Sequence, residues 1–541
     1  MPLSLVAVLL VLPAAATQPA PVRPWVPRFL QEYPLAVCND GTPAAYYHRQ
    51  GTPGSRRWLV YLDGVGWCWD PGSCAHPWQR AHGTSSAFPR TAAELAPKAE
   101  RFLYHGIFDP VHSPLADAHV AFVKSCSNDA FMGDRSPSEP PDAPFARRRP
   151  DTGWHFRGRR IVEAVFRDLR RHTGLGAQLG DRVVFGGCSA GARGAMASLD
   201  RVAGSEALVG RAGVVGLLDS GLWVPISPKT ASLGWDSFGH QMRAALDIAN
   251  ASALVGAACG EHYPGPERWK CLMGAYRLPF VRTPYFLVHS QYDQFALSMN
   301  LWGHWSFQPV GPLDMQWADS YRQLVLRYLP HPANGSGTLV YSPACYYHCV
   351  VTKPEFWTTA ADGVRLSELL GRWLGAPSLS GRIWERCEGF NCGEGEGVRR
   401  LASAAGAAPA AAGWELEAKA RTLEARWLGD VLRAYEAAVE KLEASVAAAA
   451  AEGGPQAPHS PLGALSLAAE VLRSEAALLE RERGEAVAFA AAAREVRSLR
   501  EAEGEAVSAA RLAALKAEWW GDQTGWRGEW DGWTGPRTPV G

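Results

Sequence analysis

"VVFGGCSAGARGAM", Val183 to Met196, decides how the rest of the chain is read. Three bulky apolar residues run into Gly186, Gly187, Cys188, Ser189, Ala190 and Gly191, and small residues continue beyond them. The apolar run reads as a buried strand, and "AGARGAMASLDRV" after it reads as a helix. Gly187-Cys188-Ser189-Ala190-Gly191 therefore places G-x-S-x-G at a strand-to-helix turn, the setting of a nucleophile elbow. Side chains flanking so tight a turn would clash, and glycine removes the clash. The same residues also suit a tight turn with no chemistry, so the reading depends on partners elsewhere in the chain.

Working outward, further short apolar runs have the look of central strands: 58–62, 120–123, 214–218, 285–288 and 338–342. They lack polar alternation, as strands covered on both faces do. Between some of them lie helical patterns. In 157–174, Ile161, Val165 and Leu169 recur every four residues. Strand, helix, strand repetition predicts an α/β fold with a mostly parallel sheet flanked by helices.

The chain has 541 residues, too many for one ordinary core. Lys+Arg and Asp+Glu are both 54, so a formal net charge of zero gives no support to a nucleic-acid partner or an anionic membrane surface. Residues 1–16 read as a signal peptide: the apolar run Leu3 to Leu12 is too short to span a bilayer, and Ala14-Ala15-Ala16 suits cleavage. No later segment is apolar for long enough to cross a membrane. Eleven cysteines, all before residue 393, agree with secretion and a disulfide framework. An odd number leaves at least one without a partner inside the chain, and Cys188, within the small-residue knot, is the candidate for a buried free thiol. Asn250-Ala251-Ser252 and Asn334-Gly335-Ser336 are glycosylation sequons.

Residues 28–395 carry the strands and the cysteines and form the expected globular domain. Residues 396–413 read as a Gly/Ala-rich linker. Beyond it, Leu416, Leu423, Trp427, Val431, Tyr435 and Val439 keep helical spacing, and "EGGPQAPHSP" at 452–461 interrupts it. The pattern over 414–520 predicts a long-helix hairpin or coiled coil, through which a homo-oligomer could form. Residues 521–541 are a Trp-rich tail, read as disorder rather than a docking segment.

A serine hydroxyl needs a base, and the base needs an orienter. After an elbow these follow in chain order Ser, acid, His. Asp293 stands just past the strand at 285–288, and His348 in the loop after the strand at 338–342. The carboxyl ends of parallel strands are where ligands bind. His289 is a rival, but it lies within its strand. An acyl-transfer site also needs donors for an oxyanion. The Gly-rich turn after the strand at 58–62 offers the amides of Val65 and Gly66, and Ala190, next to the serine, offers a third. Losing one such donor typically costs roughly 3–4 kcal/mol of transition-state stabilisation. Trp67, next in that loop, is a candidate pocket residue. Cys188 as nucleophile occupies the wrong place in the elbow. A zinc site from Cys68, Cys74 and His76 competes with disulfide pairing, which a secreted chain favours, so neither metal nor cofactor is expected.

Together these segments resemble the pectin acetylesterase / Notum family. "AVCNDGTPAAYYHRQ", "LDGVGWCWD", "KSCSNDAFMGD", "GGCSAGARG", "LLDSG" and "PACYYHC" are similar to its motifs, in order, from about Cys38 to Cys392. The resemblance implies an α/β-hydrolase-like fold, no metal, and a triad that falls on Ser189, Asp293 and His348. It also implies the bridges Cys38–Cys126 and Cys68–Cys74. Asp63 stands where the family usually has Glu, Val65 replaces a loop glycine, and "SAGARG" replaces the common "SAGG". A side chain at Val65 or Ala192 would narrow an acyl pocket. "EHYPGPERWKCLMG" is more similar to the Notum branch, whereas Gly66 matches the plant enzymes.

The expectation is a secreted serine carboxylesterase acting on an acyl ester, acetyl on extracellular or cell-wall polysaccharide being the first candidate. The alternatives are a Notum-like deacylase removing a fatty acyl group from a secreted protein, and a catalytically inactive binding module.

Overall fold

A computed structural model describes residues 23–135, 154–229, 235–303, 309, 312–376, 378–386 and 389–390, together with 440 and 444, both helical. The expected signal peptide, linker and tail, and all but two residues of the expected hairpin, lie outside the described residues. The chain divides into two units, Met1–Gln308 with Gln316–Ser403 and Pro309–Met315 with Ala404–Gly541; every contact discussed below lies within the first.

Among the described residues eleven strands follow in chain order: β1 (Trp25–Phe29), β2 (Ala45–Arg49), β3 (Arg57–Leu62), β4 (His119–Val123), β5 (Asp181–Cys188), β6 (Ala212–Asp219), β7 (Tyr285–Val288), β8 (Leu339–Ser342), β9 (Ala360–Ala361), β10 (Val364–Arg365) and β11 (Gly381–Trp384). Nine form one sheet in the order β1-β2-β4-β3-β5-β6-β7-β8-β11, and β9 and β10 pair separately. From β4 to β11 every pairing is parallel; β1 and β2 add an antiparallel edge. The fold is α/β-hydrolase-like, as expected.

Each expected strand is present. β3, β7 and β8 are buried almost without interruption, because helices cover both faces of the sheet. The helix Gly158–Thr173 turns Ile161, Val165 and Leu169 inward and stops at Gly174, whose φ of 87° is the left-handed conformation glycine adopts without penalty. Strand register sets the site. Leu62 pairs with Gly187, and Cys188, Asp219, Val288 and Tyr341 form a row across β5 to β8. The chain leaves all these strands at the same rim.

Disulfides among the described residues join Cys38–Cys126, Cys68–Cys74, Cys188–Cys349 and Cys259–Cys271. The first two are those implied by the resemblance. The third corrects the expectation of a free thiol at Cys188: parallel β5 and β8 bring its end of the sheet next to the loop carrying Cys349, 161 residues on. No helix among the described residues is long and apolar enough to cross a membrane.

Candidate active site

Ser189 sits between β5 and the helix Ala190–Ala203 with φ 56° and ψ −119°. A non-glycine residue at positive φ costs on the order of 1–3 kcal/mol and persists only where its surroundings enforce it. Here they do. A Cβ on Gly191 would lie 2.2 Å from the Leu62 carbonyl oxygen, and one on Gly187 would lie 2.5 Å from the Gly191 carbonyl carbon. A Cβ on Gly64 would meet the Cys188 carbonyl oxygen at 2.5 Å. The end of β3 thus presses directly on the elbow, which is why small residues crowd around the serine. The Ser189 amide donates to the Asp219 carbonyl at 2.9 Å, fixing the turn against β6.

Asp293 and His348 meet. Nδ1 of His348 is 2.7 Å from Oδ2 of Asp293, and both side chains are buried. The other carboxylate oxygen accepts the Ala296 amide at 3.0 Å, capping the helix Gln294–Trp302. Burial alone would raise the Asp293 carboxyl, but the charge and hydrogen bond of His348 outweigh it and hold the group below its ordinary range. An ionised carboxylate accepts only, so Nδ1 of His348 is the donor in this hydrogen bond.

The His348 loop is tied down from β6. Val351 N–H donates to Asp219 Oδ2 at 2.8 Å and Cys349 N–H to the Ser220 hydroxyl at 3.0 Å. The Cys188–Cys349 disulfide adds a covalent tie. An imidazole nitrogen and the two sulfurs lie within 4.8 Å of one another. Ser189 and His348 are therefore held at one rim, although a hydrogen bond between the hydroxyl and the ring is not among those formed. Such bonds often tighten only when substrate is bound. The bonded sulfurs of Cys188 and Cys349 are not thiolates able to hold a metal beside His348. The same holds for Cys68 and Cys74, and His76 instead caps a helix by accepting the Trp78 amide.

In the loop after β3, the amides of Val65 and Gly66 donate to no other group among the described residues, and neither does that of Ala190 at the helix N-terminus. Gly66 takes φ +76°. Asp63, at the loop's start, pairs with Lys124. Trp67 is buried in an aromatic cluster with Trp223, Phe238 and Phe295, at centroid distances of 5.0, 6.4 and 6.1 Å. The cluster reaches the histidine, for Phe295 stacks on the imidazole at 5.3 Å. His289, the rival, stands one residue past the end of β7 and not within it; it is buried with Nε2 3.3 Å from the Tyr321 hydroxyl, and burial pulls its pKa down to about 4.

Sequence reading missed Asp219, Ser220, Arg193 and the Cys188–Cys349 bond. The available signal for the bond was adjacency: one cysteine precedes Ser189 and the other follows His348.

Residues 27–383 match the family model for Pectinacetylesterase. The chain belongs to the pectinacetylesterase family. Among relatives, the palmitoleoyl-protein carboxylesterase notum1' of Xenopus laevis is 28% identical over 346 residues, covering 62% of this chain and 64% of its own. Pectin acetylesterase 11 of Arabidopsis thaliana is 23% identical, covering 66% of this chain and 88% of its own. A crystal structure of the Wnt deacylase Notum from Drosophila superposes with a TM-score of 0.58 at 26% identity, covering 69% of this chain and 99% of that one. This pectinacetylesterase-family chain spans somewhat under two thirds of the length of the Notum proteins it matches first.

Proposed function

We propose that the protein is a serine carboxylesterase that works outside the cell through an acyl-enzyme. The observation that carries this reading is the convergence at one rim: Ser189 on its elbow, tied through Cys188 and Cys349 to the loop in which His348 meets Asp293. In the proposed reaction Nε2 of His348 takes the Ser189 proton as Oγ attacks the ester carbonyl. Asp293 keeps the imidazole in the required tautomer and balances the imidazolium. The amides of Val65, Gly66 and Ala190 receive the oxyanion. The imidazolium then protonates the departing alkoxide, leaving the acyl group on Ser189. Water, deprotonated by the same nitrogen, attacks the acyl-enzyme; the acid leaves and the proton returns to Ser189.

The substrate we propose is an acyl ester on an extracellular polysaccharide, acetyl foremost. The second reading, removal of a fatty acyl group from a secreted protein, draws support from the higher identity to the Notum relatives. Acetylated pectin, acetylated xylan and a palmitoleoylated peptide, offered side by side to the full-length protein, separate them. Release of acetate from a glycan, abolished by Ser189→Ala, is expected. Turnover that survives Ser189→Ala removes the serine from the mechanism, and no turnover by the parent protein leaves the binding-module reading in its place.

A further inference from the structure

Arg193 lies one helical turn beyond Ser189, its amide donating to the Ser189 carbonyl at 3.0 Å. Its side chain is 0% exposed. None of its three guanidinium nitrogens has a hydrogen-bond partner among the described residues. Among the described residues no charged neighbour offsets the burial, which pushes the guanidinium pKa down to about 9. An unpaired buried cation is costly. What replaces water here is a pair of indole faces: the guanidinium carbon is 4.0 Å from the Trp67 ring centroid and 4.3 Å from that of Trp223.

The two indoles belong to the aromatic cluster beside the site. Trp67 follows Gly66 in the loop of free amides, and the Trp223 ring stands 6.4 Å from the imidazole of His348. Aromatic and aliphatic walls next to a nucleophile are what an acyl chain packs against. Arg193 fills the space between two of those walls.

We propose that Arg193, clamped between Trp67 and Trp223, is the stop of the acyl pocket and restricts the enzyme to short acyl groups. The inference rests on the esterase reading of Ser189 and His348. Two effects act together. The side chain occupies the volume that a longer chain would need. A methylene chain that displaced it would also strip the cation of its stacking partners and offer no acceptor in return.

The test compares p-nitrophenyl acetate with p-nitrophenyl octanoate on the full-length protein and on Arg193→Ala. The ratio of kcat/KM for octanoate over acetate is expected to rise by about tenfold or more in the variant. An unchanged ratio in a folded, acetate-active variant overturns the proposal. Should Arg193→Ala fail to fold, Arg193→Leu removes the cation and shortens the side chain while leaving a smaller void, and a shift in the same direction is expected. Decanoate binding gives a readout that needs no turnover. At about 1 mM decanoate should leave the thermal unfolding of the parent protein unmoved and stabilise the variant. Equal stabilisation of both proteins also overturns the proposal. If the parent does not hydrolyse the acetate ester, the esterase reading fails, and the decanoate comparison still decides the role of Arg193.

Discussion

Cys188 and Cys349 are bonded to each other, and each is the chain neighbour of a site residue: one precedes Ser189, the other follows His348. Their Cα atoms are 5.4 Å apart across 161 residues of sequence. The spacing of the proposed nucleophile and base is thus fixed by a covalent link one residue away from each, and not by packing alone.

Replacing both cysteines by alanine should lower kcat by about ten- to a hundredfold with KM nearly unchanged, the scale expected when a reacting pair is displaced by an ångström or so. A purely structural bond would lower the unfolding temperature and leave kcat per folded molecule intact. Steady-state kinetics on protein quantified by active-site titration distinguishes the two.

Asp293→Asn should leave the fold in place, because asparagine still accepts the Ala296 amide. It cannot hold the Nδ1–H tautomer of His348. We expect kcat for a soluble ester to fall by about 10³–10⁴. A loss under tenfold, in a variant with normal circular dichroism, would falsify the pairing of these residues in one mechanism.

Asp219 gives a pH prediction. Burial raises its carboxyl from the ordinary 3.8 to about 6, against the Val351 amide, His348 and Lys353, which favour the charged form. A folded-state pKa above the unfolded one means that stability is fully present below the unfolded value and is lost as pH rises through about 6. Asp219→Asn removes this dependence. Relative to the variant, the parent protein should lose roughly 3 kcal/mol between about pH 4 and pH 7.5. Urea unfolding of both proteins across that range would show it, and parallel curves would remove the charge from the account.

The elbow glycines make a steric prediction. Gly191→Ala puts a methyl 2.2 Å from the Leu62 carbonyl and should cost about 3 kcal/mol or more, with loss of activity as the loop after β3 is pushed away. Gly213, in β6, has no atom within 4 Å of its hypothetical Cβ, and Gly213→Ala should change stability by no more than about 0.5 kcal/mol. Paired thermal melts check both.

The central strands were legible because burial on both faces leaves a mark, a continuous apolar run, as in "WLVYL" and "YFLV". The edges were not. β1 carries Pro27 and is partly exposed, β2 mixes His48 and Arg49 with its tyrosines, and all four residues of β11 are half-buried. Asp293 and His348 could be placed by their loops after β7 and β8, and the 2.7 Å contact joins them. Asp219 hid within a strand that looked merely apolar. Arg193 looked like any arginine on a helix, since nothing in the local pattern says that a helix will be buried on every side. The Cys188 partner was beyond reach of spacing rules, because it depends on which strands end side by side.

The parallel strands from β4 to β11 also give the sheet two unlike margins. Ser189, Asp293, His348 and the free amides all follow strand ends, whereas Gly210 and Asn334-Gly335 precede β6 and β8 at the opposite margin. Neither Gly210 nor Gly335 has an atom within 4 Å of where a Cβ would stand. A sugar chain on Asn334, a fluorophore or a surface tether would therefore hang from the margin opposite the one that carries Ser189, Asp293 and His348.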